Sequence, residues 1–422
     1  MRRIAGVIGY ALLAVLMAGC FWTVPGQGAN RQAFNSLETK ITVATVGSLQ
    51  PVWQVQLDEG PAGDPVTSWS GVHVNDTHSV YALNPGSGAE QWQYSVLAPR
   101  KMGQPFVRDD KVLVGHALVD ATAPDDVDEK TAVLDTTSGA LSGELDGAVV
   151  GIRGSRAVIS VGQWFRPPFG SGYTWLENLI VQDLDTSEPV YQHLVALGGT
   201  PERTLNLQVT FGSRWLYLAD TVISASPCLV GLMAFSIEAP AGGCSIFTNA
   251  NWGLAENGFT PVLSNDQATV FFTGTDPFGG GSTVKAINAT TGAVLWTGSL
   301  SFVPGASPAL AYGKLYVPTQ TGELVVFDAA GCGSATCAPL RTASTGTGAA
   351  ITEQPAVAGG VVYTASADGS VHAFDAAGCA TPPCGPIWSA VTGSPITGAP
   401  AVSDGKLYVG TEDGRLIAYG LP

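Results

Sequence analysis

Cysteine supplies the reactive side chains whose spacing says most. Of seven cysteines, Cys332 and Cys337 stand five positions apart, as do Cys379 and Cys384, and the second pair repeats the first at an offset of 47 residues. Four thiolates could hold one zinc ion, or two disulfides could each clip a loop. Tetrahedral zinc needs every ligand within about 2.3 Å of the metal, and no histidine accompanies these two loops. An exported chain, by contrast, oxidises its thiols in pairs. Export is argued by the N-terminus, where Arg2 and Arg3 precede an apolar run from Ile4 to Met17, the size of a secretory signal's core and short for a membrane span. Two disulfides are therefore expected, each closing its own turn. Cys228 and Cys244 remain as a third pair by elimination. They flank an expected strand, Leu229 to Ile237, and a straight strand would hold them beyond the roughly 7 Å Cα limit, so that pairing requires the 238 to 243 loop to fold back.

Other chemistry is sparse. His73, His78, His116, His193 and His372 are scattered, and His372 lies at an alternating strand position where a hydrogen-bonded structural role is expected. No Gly-x-Ser-x-Gly elbow or phosphate loop is present, and the frequent Asp-Gly and Thr-Gly pairs read as turns. The formal charge is −15 and becomes −17 without the first nineteen residues, which repels phosphate backbones and excludes nucleic acid as a partner. No metal site and no cofactor are expected.

Cys20 has a different setting from the other thiols. It closes the run Leu16, Met17, Ala18, Gly19, Cys20, which resembles the bacterial lipobox, with small residues before the scissile bond and one thiol to carry the lipid. Residues 1 to 19 then read as a lipoprotein signal peptide and 20 to 48, without a strand pattern, as a lipidated tether. Several acyl chains, at about 0.8 kcal/mol per buried methylene, hold such a protein on a membrane.

The elements that must position these groups are repeats. Ser307 to Val317 (SPALAYGKLYV), Gln354 to Thr364 (QPAVAGGVVYT) and Ala399 to Val409 (APAVSDGKLYV) are versions of one hairpin, with their prolines 47 and 45 residues apart. Earlier units start near Pro65, Pro105, Val149, Leu207 and Pro261, making eight. A period of about 46 residues with alternating apolar positions and Gly-bearing turns builds four-stranded blades, which must stack because one blade cannot bury both faces. An all-β, eight-bladed propeller over residues 49 to 422 is expected. The last unit ends after its third strand, and Pro51 to Leu57 (PVWQVQL) reads as a fourth strand without the first three. Pairing it with Leu416 to Tyr419 would close the ring and remove an open edge.

These units resemble the quinoprotein-like (PQQ-like repeat) β-propeller family, in Val80 to Trp92, Val284 to Trp296, Val371 to Asp375 and Leu416 to Tyr419. The resemblance implies that Trp92, Trp296 and Trp388 dock each blade on the next. Some family members are dehydrogenases that hold pyrroloquinoline quinone and calcium over the axis, often with adjacent cysteines. This chain has no adjacent cysteines, no large insertions and no set of residues that maps onto that site. Another member is an envelope lipoprotein that serves β-barrel assembly without catalysis.

The function expected is a non-enzymatic, membrane-anchored scaffold in the bacterial cell envelope, monomeric, held by its N-terminal lipid and binding envelope proteins. A quinoprotein dehydrogenase or a small-ligand sensor using the channel is the alternative. The connections from second to third strand are expanded in units two to five (Ala117 to Lys130, Gly162 to Glu177, Ala219 to Cys228, Gly274 to Ser282) and would form one raised arc on one face. The second holds Trp164, Phe165, Phe169, Tyr173 and Trp175 with two prolines, a composition that suits a partner hot spot or rings packed on neighbouring loops. The first holds Asp125, Asp126, Asp128 and Glu129, which could attract a basic segment or calcium, or remain a solvated loop.

Overall fold

A computed structural model describes residues 21–118, 128–165, 174–195, 205, 207–225, 228–237, 252–254, 256–276, 279–379 and 384–422, with backbone alone for 163–165, 174–177, 191–195, 220–225 and 228–231. The described residues form eight antiparallel sheets, each built on four radial strands labelled a to d from the axis outward. The inner strands are Val66–Thr67, Arg100–Arg108, Ala148–Arg153, Val209–Phe211, Val262–Leu263, Ala309–Ala311, Ala356–Ala358 and Ala401–Ser403. Hairpin chemistry sets the a-to-b turns. Tyr312-Gly313, Gly359-Gly360 and Asp404-Gly405 have positive φ at both residues, as the two-residue turn matching strand twist requires. The ring closes as expected. Gln50–Gln56 forms strand d of blade 8, antiparallel to Arg415–Gly420 from Pro51 opposite Tyr419 to Gln56 opposite Arg415.

Blade-to-blade docking follows one rule. Four strand-d Trp residues donate their indole Nε1–H to a carbonyl in the c-to-d turn of the next blade: Trp53 to Pro85 at 3.0 Å, Trp92 to Thr136 at 2.9 Å, Trp252 to Ala289 at 3.2 Å and Trp296 to Ala329 at 3.4 Å, while Trp388 of blade 7 donates to Leu49 O, just before the closing strand, at 3.0 Å. The glycine of that turn lies against the ring. At Gly88, Gly139, Gly292 and Gly331 φ is positive, and an added Cβ would stand within 2.8 Å of the indole. These Ser-Gly, Thr-Gly and Ala-Gly turns are thus sockets for the preceding blade's Trp. Blade 6 has Arg341 at this place. Its guanidinium donates to Ala376 O at 2.5 Å and lies over Gly378.

Residues 21–49 do not form the expected tether. Trp22, Ala33, Ile41, Val46 and Leu49 are buried, and the segment makes a circuit of the axis in chain order. The N–H of one residue in each of six inner strands reaches a carbonyl of this belt: Thr67 to Trp22, Val107 to Thr23, Phe211 to Ala29, Leu263 to Asn30, Leu310 to Gln32 and Val357 to Ala33, at 2.7 to 3.0 Å. Blade 3 contributes Arg153 to Asn30 Oδ1 at 2.8 Å, and blade 8 accepts from Asn35 Nδ2 at Val402 O, 2.9 Å. The physical cause is that inner strands leave one edge unpaired around the channel. A chain crossing those edges satisfies about one group per blade, which needs no strand periodicity in its own sequence. The signal-peptide residues and Cys20 lie outside the described residues.

Candidate binding faces of the propeller

Because all blades point the same way, the a-to-b and c-to-d turns share one face and the b-to-c connections the other. The second face carries the predicted arc, built differently from the loops expected. Blade 3 extends strands b and c to Arg156–Phe165 and Thr174–Asp183, paired through Trp164 opposite Trp175 and Phe165 opposite Thr174. Strand b has ten residues here against five in blades 6, 7 and 8. At about 3.4 Å per residue, the ribbon stands about 17 Å taller. Blade 4 likewise continues as Trp215–Ala225 and Cys228–Ser236, with Ala225 opposite Cys228. Two of the four expected loops therefore begin and end as ribbon. Phe169 and Tyr173 lie outside the described residues.

The acidic run of the first expansion is partly structural. Arg100 pairs with Asp128, and Glu129 accepts the Gly162 N–H at 2.8 Å, tying blade 2 to blade 3. Asp125 and Asp126 lie outside the described residues. Arg100 also donates to His116 Nδ1 at 3.1 Å. Since arginine only donates, that nitrogen is the acceptor; burial and the Arg100 charge both lower the His116 pKa. His372 is buried, with Nδ1 2.8 Å from Ser389 Oγ. His73 is buried against Ser68 Oγ at 2.9 Å, and desolvation lowers its pKa to about 3.

The first face carries the belt and the clips. Disulfides join Cys332 to Cys337 and Cys379 to Cys384. They do more than stiffen turns. Thr336–Cys337 lies parallel to strand d of blade 5, at Thr297 and Gly298, while Cys384 bridges Ala343 on strand d of blade 6. The first clip thus adds a short outer strand to the preceding blade, and the second adds a single bridge. The backbone of Cys228 opens strand c of blade 4, and Cys244 lies outside the described residues.

On the axis, sequence reasoning missed a polar cluster. Arg31 of the belt is buried and donates to Gln208 Oε1 at 2.7 Å, with its pKa lowered to about 10 by burial against the opposing pull of Asp64. Asp64 accepts the Ala399 N–H at 2.7 Å and a bond from Gln104, yet burial raises its pKa. Burial, then the Asp64 charge, push Glu353 well above the usual carboxylate range. Gln354 donates to Arg31 O and Pro308 O at 2.9 and 2.8 Å. A signal for the cluster was present: Asp64, Gln104 and Gln354 each precede the inner-strand proline.

The fold and these faces define an eight-bladed propeller of four-stranded antiparallel blades. Residues 280–380 and 341–420 match the family described as outer membrane protein assembly factor BamB. No curated protein matches the sequence. Among solved structures, BamB from Moraxella catarrhalis is similar at 16% identity and TM-score 0.55, over 88% of this chain and 97% of that one. A quinohemoprotein alcohol dehydrogenase from Comamonas testosteroni is similar at 14% and 0.65, over 95% and 80%. A europium-containing methanol dehydrogenase is similar at 13% and 0.62, over 97% and 100%.

The calcium that the quinoprotein resemblance implies would need several converging oxygen ligands. Among the described residues no three His, Cys, Asp or Glu side chains come together as metal ligands. The cation acting on Asp64 is Arg31. The donor set does not fit that group.

Proposed function

We propose that this protein is a non-enzymatic scaffold of the bacterial cell envelope, anchored by lipid at Cys20, that binds a protein partner through the expanded b-to-c connections of blades 2 to 5, with the ribbons of blades 3 and 4 at their centre. The observation that carries this reading is the blade 3 ribbon, whose paired Trp164 and Trp175 positions extend the sheet beyond the hairpins of blades 6, 7 and 8. Trp and Tyr are the residues in which binding hot spots are enriched. The likeness to BamB and the two disulfides support an envelope location and protein partners.

Crosslinking in cells followed by affinity capture tests it. The variant carrying Trp164, Phe169 and Trp175→Ala is expected to lose partners that the native protein retains. Unchanged partners would overturn the assignment of the ribbon. The quinoprotein reading is tested separately by titrating purified protein with pyrroloquinoline quinone and calcium. A bound chromophore with dye-linked alcohol oxidation would replace the scaffold reading.

A further inference from the structure

We infer that the face bearing the belt lies flat against the membrane, so that the ribbon face points away from it. The inference rests on the lipid-anchor reading and adds an orientation to it. Phe21, the residue after Cys20, lies at a cavity of about 280 Å³ on the a-to-b face, lined by Thr67, Trp69, Pro85, Asp404 and Tyr408 among others. Trp22 is fixed there by its N–H to Thr67 Oγ1 and its carbonyl from the Thr67 N–H, both 2.7 Å. Two residues reach at most about 7 Å. A lipid on Cys20 therefore enters the bilayer directly beside the ring.

The attachment point decides the tilt. Thr67 ends an inner strand, near the axis, so the anchor pulls close to the centre of the face and not at the outer rim. Leaning in any direction would press one rim into lipid and lift the other.

The surface chemistry agrees. Trp69 is 62% exposed and Tyr312 47% exposed at a-to-b turns, and Leu37 and Val43 are exposed on the belt. Trp and Tyr suit the headgroup boundary, being apolar in body with a polar tip. The a-to-b turns and their flanks hold seven basic residues (Arg108, Lys111, Arg153, Arg156, Arg214, Lys314 and Lys406) against four acidic ones, within a strongly acidic chain. The described b-to-c connections, counted with their flanking strand residues in the same way, hold eight acidic residues (Asp76, Asp128, Glu129, Asp276, Glu323, Asp368, Glu412 and Asp413) against one basic residue, Arg415. Anionic headgroups are thus repelled less by the a-to-b ring near the axis than by the b-to-c face. At larger radius the c-to-d turns carry acids, among them Asp135 and Asp183, which accept their own turns' N–H groups.

The test uses the full-length protein in the cell membrane. p-Benzoylphenylalanine is placed singly at Trp69, Tyr312 or Asp404 on one face, and at Asp76, Asp368 or Glu412 on the other. Irradiation is followed by detection of lipid adducts. Acylation is read independently by labelling with an alkynyl fatty acid, with Cys20→Ser as control. Acylated protein with adducts several-fold stronger at the first three positions supports the orientation. Acylated protein with adducts equal on both faces, or stronger at the second three, overturns the orientation and leaves the anchor standing. Absence of the acyl label removes the anchor and the orientation with it.

Discussion

Arg341 shows how a single side chain can be read only in its socket. In sequence it is an isolated charge; in the ring it replaces a docking Trp and reaches the same carbonyl position. Arg341→Ala is expected to cost about 1.5–3 kcal/mol, as a charged hydrogen bond does. Trp92→Ala is expected to cost about 3–5 kcal/mol. Denaturant titration of both variants checks the order. Glu353 has the opposite character. Its pKa is raised in the folded state, so its favourable contribution is full below the unfolded value near 4.5 and is lost as pH rises through the raised value. Glu353→Gln keeps the uncharged form at every pH. It should therefore melt higher than the native protein near neutrality and converge with it in acid, as followed by calorimetry.

The hairpins were legible because each is a local object. Alternating apolar residues, a proline at the inner strand and a two-residue turn with positive φ lie within about a dozen neighbouring positions. The Cys spacings were legible for the same reason. What the clips do was not, because their partners, Thr297 and Ala343, belong to the preceding blade. The double substitution Cys332→Ser with Cys337→Ser is expected to cost about 2 kcal/mol, the loop-closure value for so short a loop. If docking on blade 5 matters as well, amide exchange at Thr297 and Gly298 rises more than elsewhere in that blade. The aromatic segment Gly162 to Glu177 read as a loop because prolines and glycines interrupt it. The strands nevertheless extend through Phe165 and from Thr174, with cross-strand partners set by the blade below.

At the scale of the whole molecule, ring closure and the axial belt separate two kinds of stability. Removing residues through Ser48 should lower the melting temperature while leaving cooperative unfolding, because the ring still closes. Removing residues through Gln56 should abolish cooperative unfolding and promote aggregation, since the edge Arg415–Gly420 is then open. Calorimetry and light scattering on the two truncations distinguish these outcomes. The sequence by itself determined the all-β class, the number of blades, the closing strand and the spacing of the cysteines, since each follows from a periodic or local pattern. Only the tertiary structure decided that residues 21–49 are a belt, that Arg31, Asp64 and Glu353 meet on the axis, and that Phe21 opens onto the a-to-b face. These depend on eight inner strands being brought around one axis. The belt's contacts join residues up to 367 positions apart, a distance over which no local pattern carries information.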